Sequence, residues 1–144
     1  MGNSINISIL IPLIPMVLAL LILILLVSFN RTINRLTKPV SFLAVSSLLS
    51  SALISGLFYL KKIEGEVFLS NYLKLFESTN LVLHLSTLTE KIVITFTLIM
   101  AILIGLLFYK LPRQKGYVSL IIGISLISSS IIFAVLFLDF SVLI

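Results

Sequence analysis

The sequence predicts an all-α membrane protein with four transmembrane helices, a short interfacial helix and a small β segment in the loop between the second and third helices. Of the 144 residues, 60% are hydrophobic and only 10% are charged. A soluble fold of this length would not have enough polar surface to cover so much apolar surface. We therefore interpret residues 1–144 as a single integral membrane domain.

Four apolar stretches are each about long enough to cross a bilayer, which takes roughly 20 apolar residues for about 30 Å of hydrocarbon. Basic residues, and Asp139 after the last stretch, mark most of their boundaries. The third stretch is the shortest, so we expect its helix to begin earlier, near Leu88 or Thr89. The predicted spans are 9–29, 39–60, 92–109 and 116–138.

The first and third loops between these spans are purely basic. Neither loop contains Asp or Glu, and together they contribute Arg31, Arg35, Lys38, Lys110, Arg113 and Lys115. The positive-inside rule places such loops in the cytoplasm or stroma, which puts both termini and the long second loop in the lumen or periplasm. These six residues could also bind anionic lipid head groups. Setting the topology alone is the simpler explanation for them.

The long second loop has two local patterns. Between residues 66 and 76, apolar residues fall near helical spacing, which predicts the short interfacial helix. Between residues 80 and 88, leucines alternate with other residues, as is typical of a strand. This strand would pair either within the loop or with the loop of a partner.

Small residues line one face of the second helix and one face of the fourth. The serines on each face are spaced four residues apart, so small side chains there would allow close approach between membrane helices. A polar ion path is the functional alternative. We favour helix packing because no ionisable residue lies within a predicted span, and ion or proton paths normally require one. The candidate packing residues are Ser47, Ser51, Ser55, Gly123, Ser125 and Ser129.

Several site types are disfavoured by composition. The chain has no cysteine and one histidine, so it provides neither a thiolate metal site nor a multi-histidine site. His84 could ligate a haem or a chlorophyll, but a single loop histidine is usually an ordinary polar residue. Glu90, Lys91 and Asp139 lie at the ends of predicted spans, where we expect them to be interfacial anchors. No catalytic, cofactor-binding or metal-binding residue is therefore predicted.

Three segments carry a resemblance to a known family. The stretch LIPLIPMVLALLILILLVSFNRTINRL (10–36) resembles the N-terminus of the antiporter-like F-type subunit, chain 5, of cyanobacterial and plastid NAD(P)H–quinone oxidoreductase. That family opens with a proline-punctuated helix followed by a similar loop. LTEKIVITFTLIMAILIGLLFY (88–109) is similar to its third helix, and GYVSLIIGISLISSS (116–130) is similar to its fourth. The resemblance covers almost the whole chain in order.

The chain also departs from the family pattern. Thr89 stands where the family has an acidic residue at the start of the third helix, with Glu90 following it. The loop before Gly116 is shorter than in the family and lacks the Asp of its Asp-Gly-Tyr. By the resemblance, the last six residues, DFSVLI, align with the beginning of the fifth helix, before the family's pumping glutamate. No pumping residue of the family therefore carries over to this chain.

Together these observations predict a non-catalytic accessory or structural subunit of a larger photosynthetic or respiratory membrane complex. It would occupy a lipid-facing or inter-subunit position through its serine faces. Its partners would be other transmembrane subunits and lipids, with no nucleic acid. It would need no cofactor of its own, and any chlorophyll or carotenoid contact would come through the host complex. The alternatives are a split part of a pumping subunit, a pigment-contacting photosystem subunit and a small transporter. A thylakoid location is implied by the resemblance alone.

Overall fold

Four long helices make up most of the described part of the chain. The computed structural model describes residues 7–29, 32, 35–61, 65–68, 82–111 and 116–137. A short 3₁₀ turn at Ile7–Ile9 leads into the first helix. All four helices are long and apolar enough to cross a membrane, which confirms the predicted fold class. They are α1 (Leu10–Ser28), α2 (Thr37–Lys61), α3 (Thr87–Lys110) and α4 (Tyr117–Phe137).

Helix α3 begins five residues before the predicted third span, close to the expected earlier start. The Ser86 hydroxyl accepts the Thr89 backbone N–H at 3.2 Å, and the Thr89 hydroxyl accepts the Ser86 backbone N–H at 2.8 Å. This reciprocal cap satisfies two amide donors at the helix start that would otherwise lack partners. The cap therefore fixes the start of α3 at Thr87, ahead of the strongly apolar run.

The helices form an antiparallel bundle in which α2 packs on α1 and α3, and α4 closes the ring by packing on α1 and α3. Two buried clusters fill its interior. The first cluster lies at the end of the bundle where α2 and α4 begin, and contains Ile22, Val40, Ala44, Leu48, Ala101, Ile104, Tyr117, Val118, Ile121 and Ile122. The second cluster lies at the opposite end and contains Ile11, Phe58, Leu85, Val93, Ile132 and Leu136.

A two-stranded antiparallel sheet follows α2 and precedes α3. Strand β1 (Gly65–Phe68) pairs with β2 (Val82–Leu85), with Glu66 opposite His84. Strand β2 contacts α3 and α4, and Leu85 is buried in the second cluster. The expected β segment is therefore present, and it pairs within the loop and packs against the end of the bundle.

The expected interfacial helix over 66–76 is wrong for its first three residues. Residues 66–68 are strand residues of β1, and residues 69–76 lie outside the described part of the chain. The apolar spacing that suggested a helix is short, and a run of this length does not distinguish helix from strand. Pairing with β2, which begins well downstream in the sequence, determines the outcome at these positions.

Large apolar side chains cover the outside of the bundle. Leu53 is 70% exposed and Ile102 is 63% exposed, and all four helices contribute similar residues to this surface. In water a continuous apolar surface of this kind would drive association. Lipid tails solvate it without such a penalty, so the surface matches the bilayer environment inferred from composition.

Candidate functional site

The serine face of α2 lies inside the bundle. Ser47, Ser51 and Ser55 are each at most 3% exposed. The Ser51 hydroxyl has two acceptors within reach, the Ile11 carbonyl of α1 at 2.7 Å and its own helix's Ser47 carbonyl at 3.1 Å. The Ser55 hydroxyl donates to the Glu90 carbonyl of α3 at 3.3 Å. One row of serines thus connects α2 to both of its neighbours.

The serines of α4 are buried as well, but they are bonded differently. Ser125, Ser128 and Ser129 are at most 2% exposed. The Ser128 hydroxyl donates to the Ile124 carbonyl at 2.7 Å, and the Ser129 hydroxyl donates to the Leu126 carbonyl at 2.8 Å. Both of these bonds stay within α4. Ser128 and Ser129 therefore contribute to helix packing through their small size, which allows other helices to approach closely.

Gly123 does not belong to this close packing. A Cβ atom built at Gly123 would meet nothing within 4 Å, and the residue is only half-buried. Its position two residues before Ser125 turns it away from the serine face, because residues two apart on a helix do not share a face. Gly123 therefore makes no close approach to another helix of this chain, and a contact there with a helix of another subunit stays a prediction.

A third interhelical hydrogen bond lies near the other end of the bundle and was not predicted. The hydroxyls of Ser41 in α2 and Tyr117 in α4 are 2.6 Å apart and buried. The Ser41 hydroxyl also lies 2.8 Å from the Thr37 carbonyl, so it can donate to Thr37 while it accepts from Tyr117. A tyrosine at the start of an apolar run indicates that its hydroxyl needs a hydrogen-bond partner, but the partner of Tyr117 lies 76 positions away and could not be identified from the sequence.

The most unusual buried residue is Glu90, which is 1% exposed. It lies in the first turn of α3, on the buried face that continues with Val93, Thr97, Ala101 and Ile104. It was expected to be an interfacial anchor at the helix mouth, and this expectation is wrong. The cause is the packing of α2 against α3, in which the Ser55 hydroxyl of α2 donates to the Glu90 backbone carbonyl. A carboxylate in the first turn is also favoured by the helix dipole.

The other charged candidates lie at the two ends of the bundle. Arg35, Lys38 and Lys110 are exposed at the end where α2 begins and α3 finishes, whereas Arg31, Arg113 and Lys115 lie outside the described residues, as does Asp139. Lys61 and Lys91 are exposed at the opposite end, where the Lys91 ammonium lies 5.4 Å from the centre of the Tyr59 ring. The described side chains therefore concentrate exposed charge at the two membrane faces.

In the described part of the chain, no group of three or more His, Cys, Asp or Glu side chains is placed to hold a metal ion. His84 is half-buried in β2, two residues before Ser86, which caps α3. Its backbone carbonyl lies 3.5 Å from the Thr89 hydroxyl, which links the strand to the start of α3.

What this geometry does is hold four membrane helices together. Hydroxyl groups supply contacts between helices and allow close approach, and two apolar clusters fill the remaining interior. Comparison with protein-family models, with curated proteins and with solved structures found no match to this chain.

Proposed function

We propose that the protein is a non-catalytic accessory subunit of a larger membrane complex, in which it acts as a preformed four-helix unit. The observation that supports this most directly is the use of the bundle interior. Buried hydroxyls such as those of Ser41, Ser51 and Ser128 bond to backbone carbonyls or to another hydroxyl, and the two buried core clusters consist of apolar side chains. Such an interior stabilises a membrane unit and leaves the outer helix surfaces available for lipids and neighbouring subunits.

The serine faces have a different role from the one the sequence suggested. They were candidates for contacts with other subunits, but Ser47, Ser51 and Ser129 are buried against helices of the same chain. Contacts with a host complex would therefore use the apolar outer faces. Leu53 and Ile127, both strongly exposed, represent these faces on α2 and α4.

We assign the two basic loops to the cytoplasmic or stromal side and both termini to the lumenal or periplasmic side. The support is the purely basic character of the loops and the even number of spans. The chain has no native cysteine, so a single introduced cysteine gives a clean test. Arg35→Cys is expected to resist a membrane-impermeant thiol reagent that is applied only from the lumenal side of sealed membranes. Rapid labelling from that side would reverse the topology.

The resemblance to the F-type oxidoreductase subunit supports a thylakoid complex of the photosynthetic electron-transport chain as the host. It also supports a second candidate, in which this chain supplies the first helices of a pumping antiporter-like subunit and another polypeptide supplies the rest. Buried Glu90 is the observation that speaks for this second candidate, because carboxyl groups inside membrane proteins are costly and commonly functional.

Purification from native membranes in a mild detergent tests the accessory role. We expect the protein to elute with other transmembrane polypeptides in a defined stoichiometry. A variant with Leu53→Trp keeps an apolar surface toward lipid on the outer face of α2, so it should remain folded, but its added volume should weaken the contact with those partners. Lys61→Arg at an exposed helix end should retain them. Elution of the native protein only as a free monomer would contradict the proposal.

The absence of proton transport is the second expectation of the accessory role. Glu90 is the only Asp, Glu, Lys, Arg or His that is buried among the residues whose burial is described. Apart from its exposed neighbour Lys91, the next Asp, Glu, Lys, Arg or His along α3 is Lys110, 20 positions from Glu90 or about 30 Å away. One carboxyl group cannot relay protons over that distance.

Liposomes containing the purified protein are therefore expected to keep a pH gradient as long as empty liposomes do, as monitored by an enclosed pH-sensitive dye. A leak that the Glu90→Gln variant abolishes would instead establish a transporter and overturn the accessory role.

A further inference from the structure

A groove opens on the membrane-facing side of the bundle between α2 and α3. It is lined by Lys38, Ser41, Phe42 and Val45 of α2 and by Gly105 and Phe108 of α3, with a volume of about 430 Å³. From Lys38 to Val45 the groove extends seven residues along α2, which is about 10 Å from the helix start into the hydrocarbon layer. Its shape is that of a slot leading from the head-group level into the membrane.

The two ends of the groove differ in chemistry. The end near the start of α2, called the upper end, carries the exposed ammonium side chain of Lys38. The exposed residues Arg35 and Lys110 belong to the same end of the bundle. The loops at this face contain six basic residues and no acidic residue. The lower end is formed by Phe42, Val45 and Phe108, which present hydrocarbon and aromatic surface.

Among the residues that line the groove, Lys38 is the polar group that is available to donate a hydrogen bond to a ligand. The Ser41 hydroxyl lies within hydrogen-bond distance of the Thr37 carbonyl and of the Tyr117 hydroxyl, so its single donor proton is already used inside the bundle and is not available to an anionic ligand. An occupant of the groove would therefore meet one cation at the head-group level and apolar surface below it.

Gly105 keeps the groove open. It is exposed, and a Cβ atom built there would meet nothing within 4 Å. A larger side chain at Gly105 would occupy the slot without colliding with the interior of the bundle. The space is thus created by the lack of a side chain at one helical position.

We propose that this groove binds one anionic phospholipid, with the phosphate at Lys38 and one acyl chain lying against Phe42, Val45, Gly105 and Phe108. Charge complementarity selects this occupant. A head group with net negative charge matches Lys38 and the surrounding basic face, whereas a zwitterionic head group brings a choline or amine that these cations repel. A lipid tail also fits the apolar lower part without leaving a polar backbone group unsatisfied.

Native mass spectrometry of the full chain in detergent, titrated with phosphatidylglycerol, tests the proposal. Phosphatidylcholine with the same acyl chains and deacylated glycerophosphoglycerol serve as comparison ligands. We expect one tightly bound phosphatidylglycerol per chain, with weaker binding of phosphatidylcholine and no competition from the deacylated head group. Lys38→Gln should weaken phosphatidylglycerol binding about fivefold, the effect of one basic residue near an anionic lipid surface.

Two matched controls separate the groove from general effects of charge and size. Lys61→Gln removes an exposed lysine at the opposite end of α2 and should leave binding unchanged. Gly105→Leu should reduce binding at least as much as Lys38→Gln, whereas Gly56→Leu should not. Gly56 is a matched position because it is also helical with open space around it, and it lies 11 residues beyond Val45.

The proposal fails if Lys38→Gln and Lys61→Gln weaken binding equally, because the attraction would then be a general charge effect. It also fails if Gly105→Leu binds phosphatidylglycerol like the wild type, or if the deacylated head group competes. A dimer that Gly105→Leu dissociates would place a second copy of the chain in the groove instead. If Gly105→Leu does not fold, the exposed Lys38 and Lys61 pair still decides the outcome.

Discussion

Ser129→Leu is expected to destabilise the helix bundle strongly, whereas Ser130→Leu should leave it nearly unchanged. The two serines are neighbours on α4, and both hydroxyls donate to the Leu126 carbonyl, at 2.8 Å and 2.9 Å. Ser129 is 2% exposed, whereas Ser130 is exposed on the outside of the bundle. Both substitutions remove the same kind of hydrogen bond, so their difference measures the cost of added volume at the buried position.

We expect Ser129→Leu to lower the free energy of unfolding by about 1–3 kcal/mol relative to Ser130→Leu, which is the usual cost of forcing extra methylene groups into a packed interior. The measurement is equilibrium unfolding of the purified protein in mixed micelles, followed by circular dichroism. Equal stability of the two variants would mean that α4 does not pack closely at Ser129.

This pair of variants also separates packing within the chain from packing between subunits. If the serine face served another subunit, Ser129→Leu would leave the isolated protein stable and weaken only the host complex. Because Ser129 is buried by helices of its own chain, the isolated protein should already show the loss. The same comparison therefore tests the internal role of the serine faces.

The helices could be predicted from local sequence because each depends on a property that a single stretch carries. Twenty or so apolar residues between basic boundaries are sufficient to identify a span, and serines four apart necessarily share a helical face. Local sequence does not reveal which helix packs against that face. The contact from Ser51 to Ile11 joins positions 40 residues apart, and no local pattern encodes it.

The features that sequence reasoning missed are those decided at helix ends or over long separations. The shortness of the third span predicted an earlier helix start near Leu88 or Thr89, but it did not predict the Ser86–Thr89 cap that begins the helix at Thr87. A cap with Thr at its third helical position differs from the usual Glu or Gln signature, so it is easily overlooked. Burial of Glu90 depends on the packing of α2 against α3, and the Ser41–Tyr117 bond depends on tertiary packing of α2 against α4.

Glu90→Lys is expected to destabilise the bundle substantially, whereas Leu88→Lys should be tolerated. Both positions lie in the first turn of α3, so an added cation meets the same unfavourable end of the helix dipole at each. They differ in surroundings, since Glu90 is 1% exposed and Leu88 is 36% exposed. At position 88 a lysine can extend its ammonium group to the head-group region.

At position 90 the ammonium group would start from the packed face of α3, at the end of the bundle that holds the second apolar cluster. A lysine inside a membrane helix costs about 3 kcal/mol, which is a large fraction of the roughly 5–15 kcal/mol that stabilises an ordinary fold. We expect less monodisperse protein recovered from detergent and a clearly lower unfolding midpoint for Glu90→Lys, with Leu88→Lys close to wild type. Glu90→Gln, which keeps the shape and removes the ionisable group, should fall between them. Equal recovery of the two lysine variants would mean that water reaches position 90 in the folded protein, and the interior at this end of the bundle would then be an aqueous cavity rather than a packed core.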